Sequence, residues 1–143
     1  MTDLCRTYYV NSMTGSDAND GLSEQHAFAS LFAVNKLTLK PGDAVLLAKG
    51  SVFFGQFLQI TDSGTAEHPI HIASYGEGNP PCIAAQGQGI WYQDYGQPLD
   101  SPTHVYQGYV SSAVLLYDAE HILLEDLEVT NCAEHILGEN YSA

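Results

Sequence analysis

Positive charge is what this chain has least of. Arg6, Lys36, Lys40 and Lys49 are its whole complement against 17 Asp and Glu residues, giving a formal charge of −13. That balance repels phosphate backbones and anionic membrane surfaces, which excludes nucleic acid as an expected partner. Cysteine is scarce too: Cys5, Cys82 and Cys132 are odd in number and widely spaced, matching neither a disulfide framework nor a zinc site. Long apolar runs are missing, and MTDLCRTYYV has neither a basic start nor an apolar h-region. No membrane partner is expected. The simplest placement is cytoplasmic, with secretion the alternative if a leader has been removed. No serine or cysteine sits in a nucleophile motif and no HExxH pair occurs, so neither a metal nor a cofactor is expected.

What is present is short strands. Ser112 to Asn131 reads SAVLLYDAEHILLEDLEVTN, three strand-like runs divided by one or two polar residues. A backbone that re-enters a sheet after such tight corners reads as one coil of a β-solenoid. Alternation then places Val114, Leu116, Ile122, Leu124, Leu127 and Val129 in a core, with Asp126 and Glu128 facing out. Earlier, AVLLAKG, QFLQIT, PIHIASYG and CIAAQG are strand-like segments punctuated by Gly, Pro, Ser and Asp. Glycines 50, 55, 64, 76 and 78 supply corners with positive φ, and Asn131 is a candidate for the same conformation or for an asparagine ladder.

The N-terminal part opens with the strand TYYV and the turn-rich NSMTGSDANDG. Asp17, Asn19 and Asp20 superficially echo an EF-hand, but counting from Asp17 the required glycine falls on Leu22 and the glutamate on Phe28, so these side chains are read as turn caps. From Ala27 to Leu37 the spacing of Phe28, Leu31, Val34 and Leu37 predicts a short helix, stopped by Pro41-Gly42. Such a helix would cover the apolar end and open strand edges of the first coil.

YYVNSMTGSDANDGLSEQHAFASLFAVNKLTLKPGDAVLLAKGSVFFGQF, then ITDSGTAEHPIHIASYG, then the coil above, together resemble the opening of a right-handed parallel β-helix protein of the pectate-lyase-like kind. The resemblance covers most of residues 8 to 131. It implies an all-β solenoid with a short N-terminal capping helix, in one domain: a strand, loop and helix over 1–43 and first coils over 44–143. It further implies a carbohydrate-active protein, since many members are polysaccharide lyases or glycoside hydrolases. Fold alone does not fix function.

Between about residues 88 and 111 the strand rhythm fails. This insert holds Trp91, Tyr92, Asp94, Tyr95, His104 and Tyr106, with Asp100 and Tyr109. Flat rings with polar edges suit the C–H faces of pyranoses, while carboxylates, imidazole and phenols bond sugar hydroxyls, so these residues are candidate substrate contacts on a polysaccharide or oligosaccharide. The plainer alternative is that the rings staple a long loop to the solenoid.

Asp126 and Glu128, two apart on a predicted strand, would share a face with backbones roughly 6–7 Å apart, within the range for paired glycosidase carboxylates. They are the candidate catalytic pair, against the alternative that they are charged only because they face water. Of the histidines, His68, His71, His121 and His135 fall at strand edges or corners. A lyase needs a base plus cations to hold a uronate, and this chain offers few.

EHILGENYSA reads as a coil begun and not finished. The expectation is an N-terminal portion of a longer enzyme, inactive alone, or one chain of an assembly in which a partner or further copy completes the helix. The favoured activity is glycoside hydrolysis by paired carboxylates. A non-catalytic, adhesin-like glycan-binding β-helix is the alternative, and a polysaccharide lyase the second.

Overall fold

A computed structural model of the chain describes residues 5–94 and 107–131, with side chains described over 5–90 and 111–131. Among these residues the regular structure is mostly β: eleven short strands, one α-helix of five residues, α1 (Leu31–Asn35), and one 3-10 turn over Glu24–His26. Three parallel sheets carry nine of the strands. The first, in spatial order, contains β1 (Thr7–Val10), β2 (Ala44–Ala48), β5 (Ile70–Tyr75) and β10 (Ile122–Leu124). The second contains β3 (Val52–Phe54), β6 (Cys82–Ala84) and β11 (Glu128–Thr130), and the third pairs β4 (Leu58–Ile60) with β9 (Val114–Leu116). The chain thus visits the three sheets in turn through β2, β3 and β4, again through β5, β6 and β9, and re-enters the first two with β10 and β11. Two further strands, β7 (Ile90–Asp94) and β8 (Gln107–Ser111), pair antiparallel as an arm between β6 and β9.

Parallel register stacks like on like. Tyr8, Val45, Ile72 and Leu124 lie in one row across the first sheet, and Phe53, Ile83 and Val129 in one row across the second. Val45, Phe53, Leu58, Ile70, Ile72 and Ile83 are completely buried, each worth about 1.5–3 kcal/mol against exposure. Val114, Ile122, Leu124 and Leu127 pack on this core as expected. Leu116 and Val129 differ: each points to the same side as a buried partner, Ile60 and Ile83 respectively, yet they are 40% and 47% exposed. Among the described residues no further strand lies beyond β9 or β11 to cover them.

The expected helix over 27–37 is reduced to Leu31–Asn35. Phe28 cannot be helical, because its N–H donates to the Tyr9 carbonyl and its own carbonyl accepts from Asn11 N–H, forming a bridge beside β1. Leu31 and Val34 are buried. Asn35 meets the edge of the third sheet as a strand would, Nδ2 donating to the Phe57 carbonyl at 2.9 Å and Oδ1 accepting from Gln59 N–H at 2.9 Å.

Short polar side chains organise the N-terminal loop. Asn11 Oδ1 accepts from the amides of Met13 and Thr14, Asn19 Nδ2 donates to the Ala27 carbonyl, and Asp20 Oδ1 accepts from Leu22 N–H. Asp17 Oδ1 accepts from the Ala29 and Ser30 amides, each at 2.9 Å, and Oδ2 from the Ser30 hydroxyl at 2.6 Å, so it fixes the chain just before α1; the first helical amide, Leu31 N–H, donates to Gln56 Oε1 at 2.9 Å. Partial burial pushes the Asp17 carboxyl up, but the Ser30 hydroxyl, the two amides and the charge of Lys36 together outweigh it and hold the group below its ordinary value. A depressed value stabilises the fold above the unfolded pKa and loses that contribution as pH falls through the folded one. The melting-temperature gap between wild type and Asp17→Asn is therefore expected to be largest well above the unfolded carboxylate pKa of about 4 and to narrow as pH falls below it; an unchanged gap in acid would refute the assignment.

Of the glycines expected at left-handed corners, Gly50, Gly55, Gly76 and Gly78 have positive φ. Gly64 serves another purpose: a Cβ there would lie 2.6 Å from the Ile70 nitrogen and 2.8 Å from the His121 carbonyl oxygen, so only a bare backbone fits between these two neighbouring turns. Among the described residues, four that are not glycine also have left-handed φ, namely Gln86, Asp118, His121 and Asp126. Asn131 is not among them.

Candidate functional site

The predicted carboxylates lie where β10 passes into β11. Asp126 is not in a strand; it forms the corner between the two, with φ of 58°. Asn and Asp tolerate this conformation better than other side-chain-bearing residues. The corner is braced from the preceding circuit: the Ser74 hydroxyl donates to Asp126 Oδ2, and Lys49 Nζ lies 3.5 Å from the same oxygen. The Ser74 bond, helped by the Lys49 charge and opposed by slight desolvation, holds Asp126 below the ordinary carboxylate range. Its neighbour Glu125 lies 2.6 Å through Oε1 from His71 Nε2, so two contacts tie this turn to β5.

Glu128 opens β11 and is exposed. Its register partners are Cys82 and, one strand further, Val52, which places it on the outer face of the second sheet. Asp126 instead lines an open cavity of about 580 Å³ with Val114, Leu124, Leu127 and Asn131, a lining that does not include Glu128. The two carboxylates therefore do not share a strand face; the turn at Asp126 breaks the alternation that the sequence spacing implied. Its lining is mixed: Val114, Leu124 and Leu127 also pack on the core, while Ser111, Ser112, Glu125, Asp126, Thr130 and Asn131 bring polar groups to it.

The insert proves to contain strands. Ile90 to Asp94 pair with Gln107 to Ser111, with Trp91 opposite Val110 and Tyr92 opposite Tyr109. Trp91, Tyr92 and Asp94 thus lie on β7, while Tyr95, Asp100, His104 and Tyr106 lie outside the described residues, as do Cys132, Glu134 and His135. Alternation was hidden because Gln93 and Asp94 end the apolar run of β7 and Gln107-Gly108 opens β8.

The root of this arm is fixed with care. Asn131 Oδ1 accepts from Gly87 N–H at 2.8 Å, and its Nδ2 donates to the Ser111 carbonyl at 3.1 Å. Ser111 Oγ in turn donates to the carbonyls of Gly87 and Gln88. A Cβ on Gly89 would meet the Ser112 carbonyl oxygen at 2.1 Å, so the two ends of the arm touch backbone to backbone. The asparagine picked out in the sequence does not take up the left-handed conformation; among the described residues it acts as a clamp. Asn131→Ala is expected to cost about 1 kcal/mol and to speed amide exchange at Gly87 while leaving Val45 and Ile72 protected. Unchanged exchange at Gly87 would show that the clamp carries no load.

No family model matches the chain. It does match a solved protein over nearly its whole length: the crystal structure of the GH136 lacto-N-biosidase from Eubacterium ramulus, at 57% identity and a TM-score of 0.81, over 96% of this chain and 22% of that one. Its homologues are lacto-N-biosidases. A second, from Bifidobacterium longum subsp. longum, is 43% identical over 132 residues, or 87% of this chain and 8% of that protein. Both are carbohydrate-active enzymes by name. The chain therefore spans less than a quarter of the relatives it matches.

Proposed function

We infer that the chain is part of a glycoside hydrolase of the lacto-N-biosidase kind, acting on an oligosaccharide. The observation that carries this is the 57% identity and TM-score of 0.81 to the Eubacterium ramulus enzyme across 96% of the chain. The successive visits to three parallel sheets support the finer reading of a right-handed parallel β-helix in one domain, with α1 and Asn35 closing its first edge. The share of each relative's length that is matched supports the reading of this chain as one portion, dependent on the rest of the enzyme for turnover. In that enzyme Asp126, held ionised, suits a base or nucleophile, with Glu128, which stands around the corner from it on the outer face of the second sheet, as the candidate partner carboxylate; the β7–β8 arm with Trp91 and Tyr92 suits sugar contact. The preference for a neutral glycan follows from the −13 charge. The test is incubation of the intact protein with lacto-N-oligosaccharides and identification of the released sugars. Glycan binding without any cleavage would replace this reading with that of a binding module, and cleavage yielding an unsaturated uronate from an acidic polymer with that of a lyase.

A further inference from the structure

The outer face of the second sheet has an unusual profile. Its two register rows run Val52, Cys82, Glu128 and Phe54, Ala84, Thr130. Phe54 is 69% and Val52 54% exposed, a large apolar pair on the edge strand β3. The middle strand contributes only small side chains, Cys82 and Ala84, and the far strand a carboxylate and a hydroxyl. Small residues between two taller rims make a shallow trough about 10 Å across, twice the strand spacing, and about 7 Å between rows. Cys82 is committed within it: burial and the Glu128 charge push its thiol up, and Thr130 hydrogen-bonds it.

We propose that this trough is a saccharide subsite, with the Phe54 ring packing on the C–H face of a pyranose and Glu128 and Thr130 bonding hydroxyls of the same or the next sugar. The proposal rests on the reading of the protein as a glycan-active enzyme and adds a contact surface outside the aromatic arm. Three features select this occupant. An apolar rim facing a hydroxyl-bonding rim matches a sugar, whose ring has an apolar face and a polar edge. The trough's named residues include no cation, so an anionic sugar has no counter-charge there and a neutral one suffers no repulsion. Two apolar side chains also fall far short of the roughly 800 Å² that each partner buries in a stable protein interface.

Kinetics and binding together test it in the intact protein, with a neutral lacto-N-tetrasaccharide as probe. Phe54→Ala removes contact area worth roughly tenfold in affinity, so KM and the calorimetric Kd are expected to rise about tenfold with kcat little changed, and Phe54→Tyr to restore both to within about twofold. Because Phe54 is exposed, folding should be unaffected, which melting temperature verifies. If turnover is normal and Phe54→Ala leaves KM and Kd unchanged, the subsite is refuted while the hydrolase reading stands; a change of solution mass in that variant would assign the face to protein contact instead. If turnover is absent but binding depends on Phe54, the hydrolase reading falls and the subsite stands. A wild type that neither binds nor cleaves the probe refutes both.

Discussion

Glu128→Gln and Asp126→Asn, each made in the intact protein, are expected to lower kcat by roughly 10²–10⁴-fold with little change in KM. Each amide keeps the size of its acid but can neither give up nor accept a proton as the carboxyl does. Asp126 is already held ionised by the Ser74 hydroxyl and the Lys49 ammonium, so its loss should act on the acidic limb of kcat/KM. The opposing possibility is that Asp126 only secures the corner at φ 58°. In that case Asp126→Asn would lower the melting temperature and leave kcat within about threefold of wild type, a result that would remove Asp126 from the catalytic pair. Full activity in both variants would move the chemistry away from these residues altogether.

A second large effect is expected from a residue with no functional role. Asp43 is 2% exposed, and its two carboxylate oxygens accept from the backbone amides of Arg6 and Lys40, each at 2.9 Å. Asp43→Ala leaves both donors without partners just where β2 begins beside β1, and is expected to cost about 2–4 kcal/mol. That is a sizeable share of the stability of an ordinary domain. Asp43→Asn retains one good acceptor and should cost about half as much. Urea denaturation of the two variants measures the difference; equal costs would show that the amides find other partners.

The strands were visible in the sequence wherever alternation was clean. AVLLA, IHIASY, ILL and EVT fall within the runs that alternation marks, and their apolar members are the ones that meet in rows. What the pattern could not supply was everything made by contact between distant segments. Val52 to Phe54 is a run of only three apolar residues with no alternation, and pairing with β6 defines it as a strand. Phe28 had helical spacing but was drawn into a bridge by β1. Asp126 had strand spacing but became a corner, because Ser74 and Lys49, 52 and 77 residues away in sequence, hold it there. Candidate sugar contacts were likewise sought in the aromatic-rich insert, where local composition draws the eye. Phe54 and Glu128 lie 74 residues apart and come onto one face only through the register of three parallel strands.

The clamp formed by Asn131, Ser111 and Gly89 has a bearing on how such a protein can change. Both feet of the arm are tied to each other and to β11, so the stacked strands on either side keep their register whatever the arm contains. Chain can be lengthened, shortened or rewritten beyond this knot without moving a core residue. The strands act as a chassis and the arm as an exchangeable part, which gives a protein engineer a defined seam for grafting a new one.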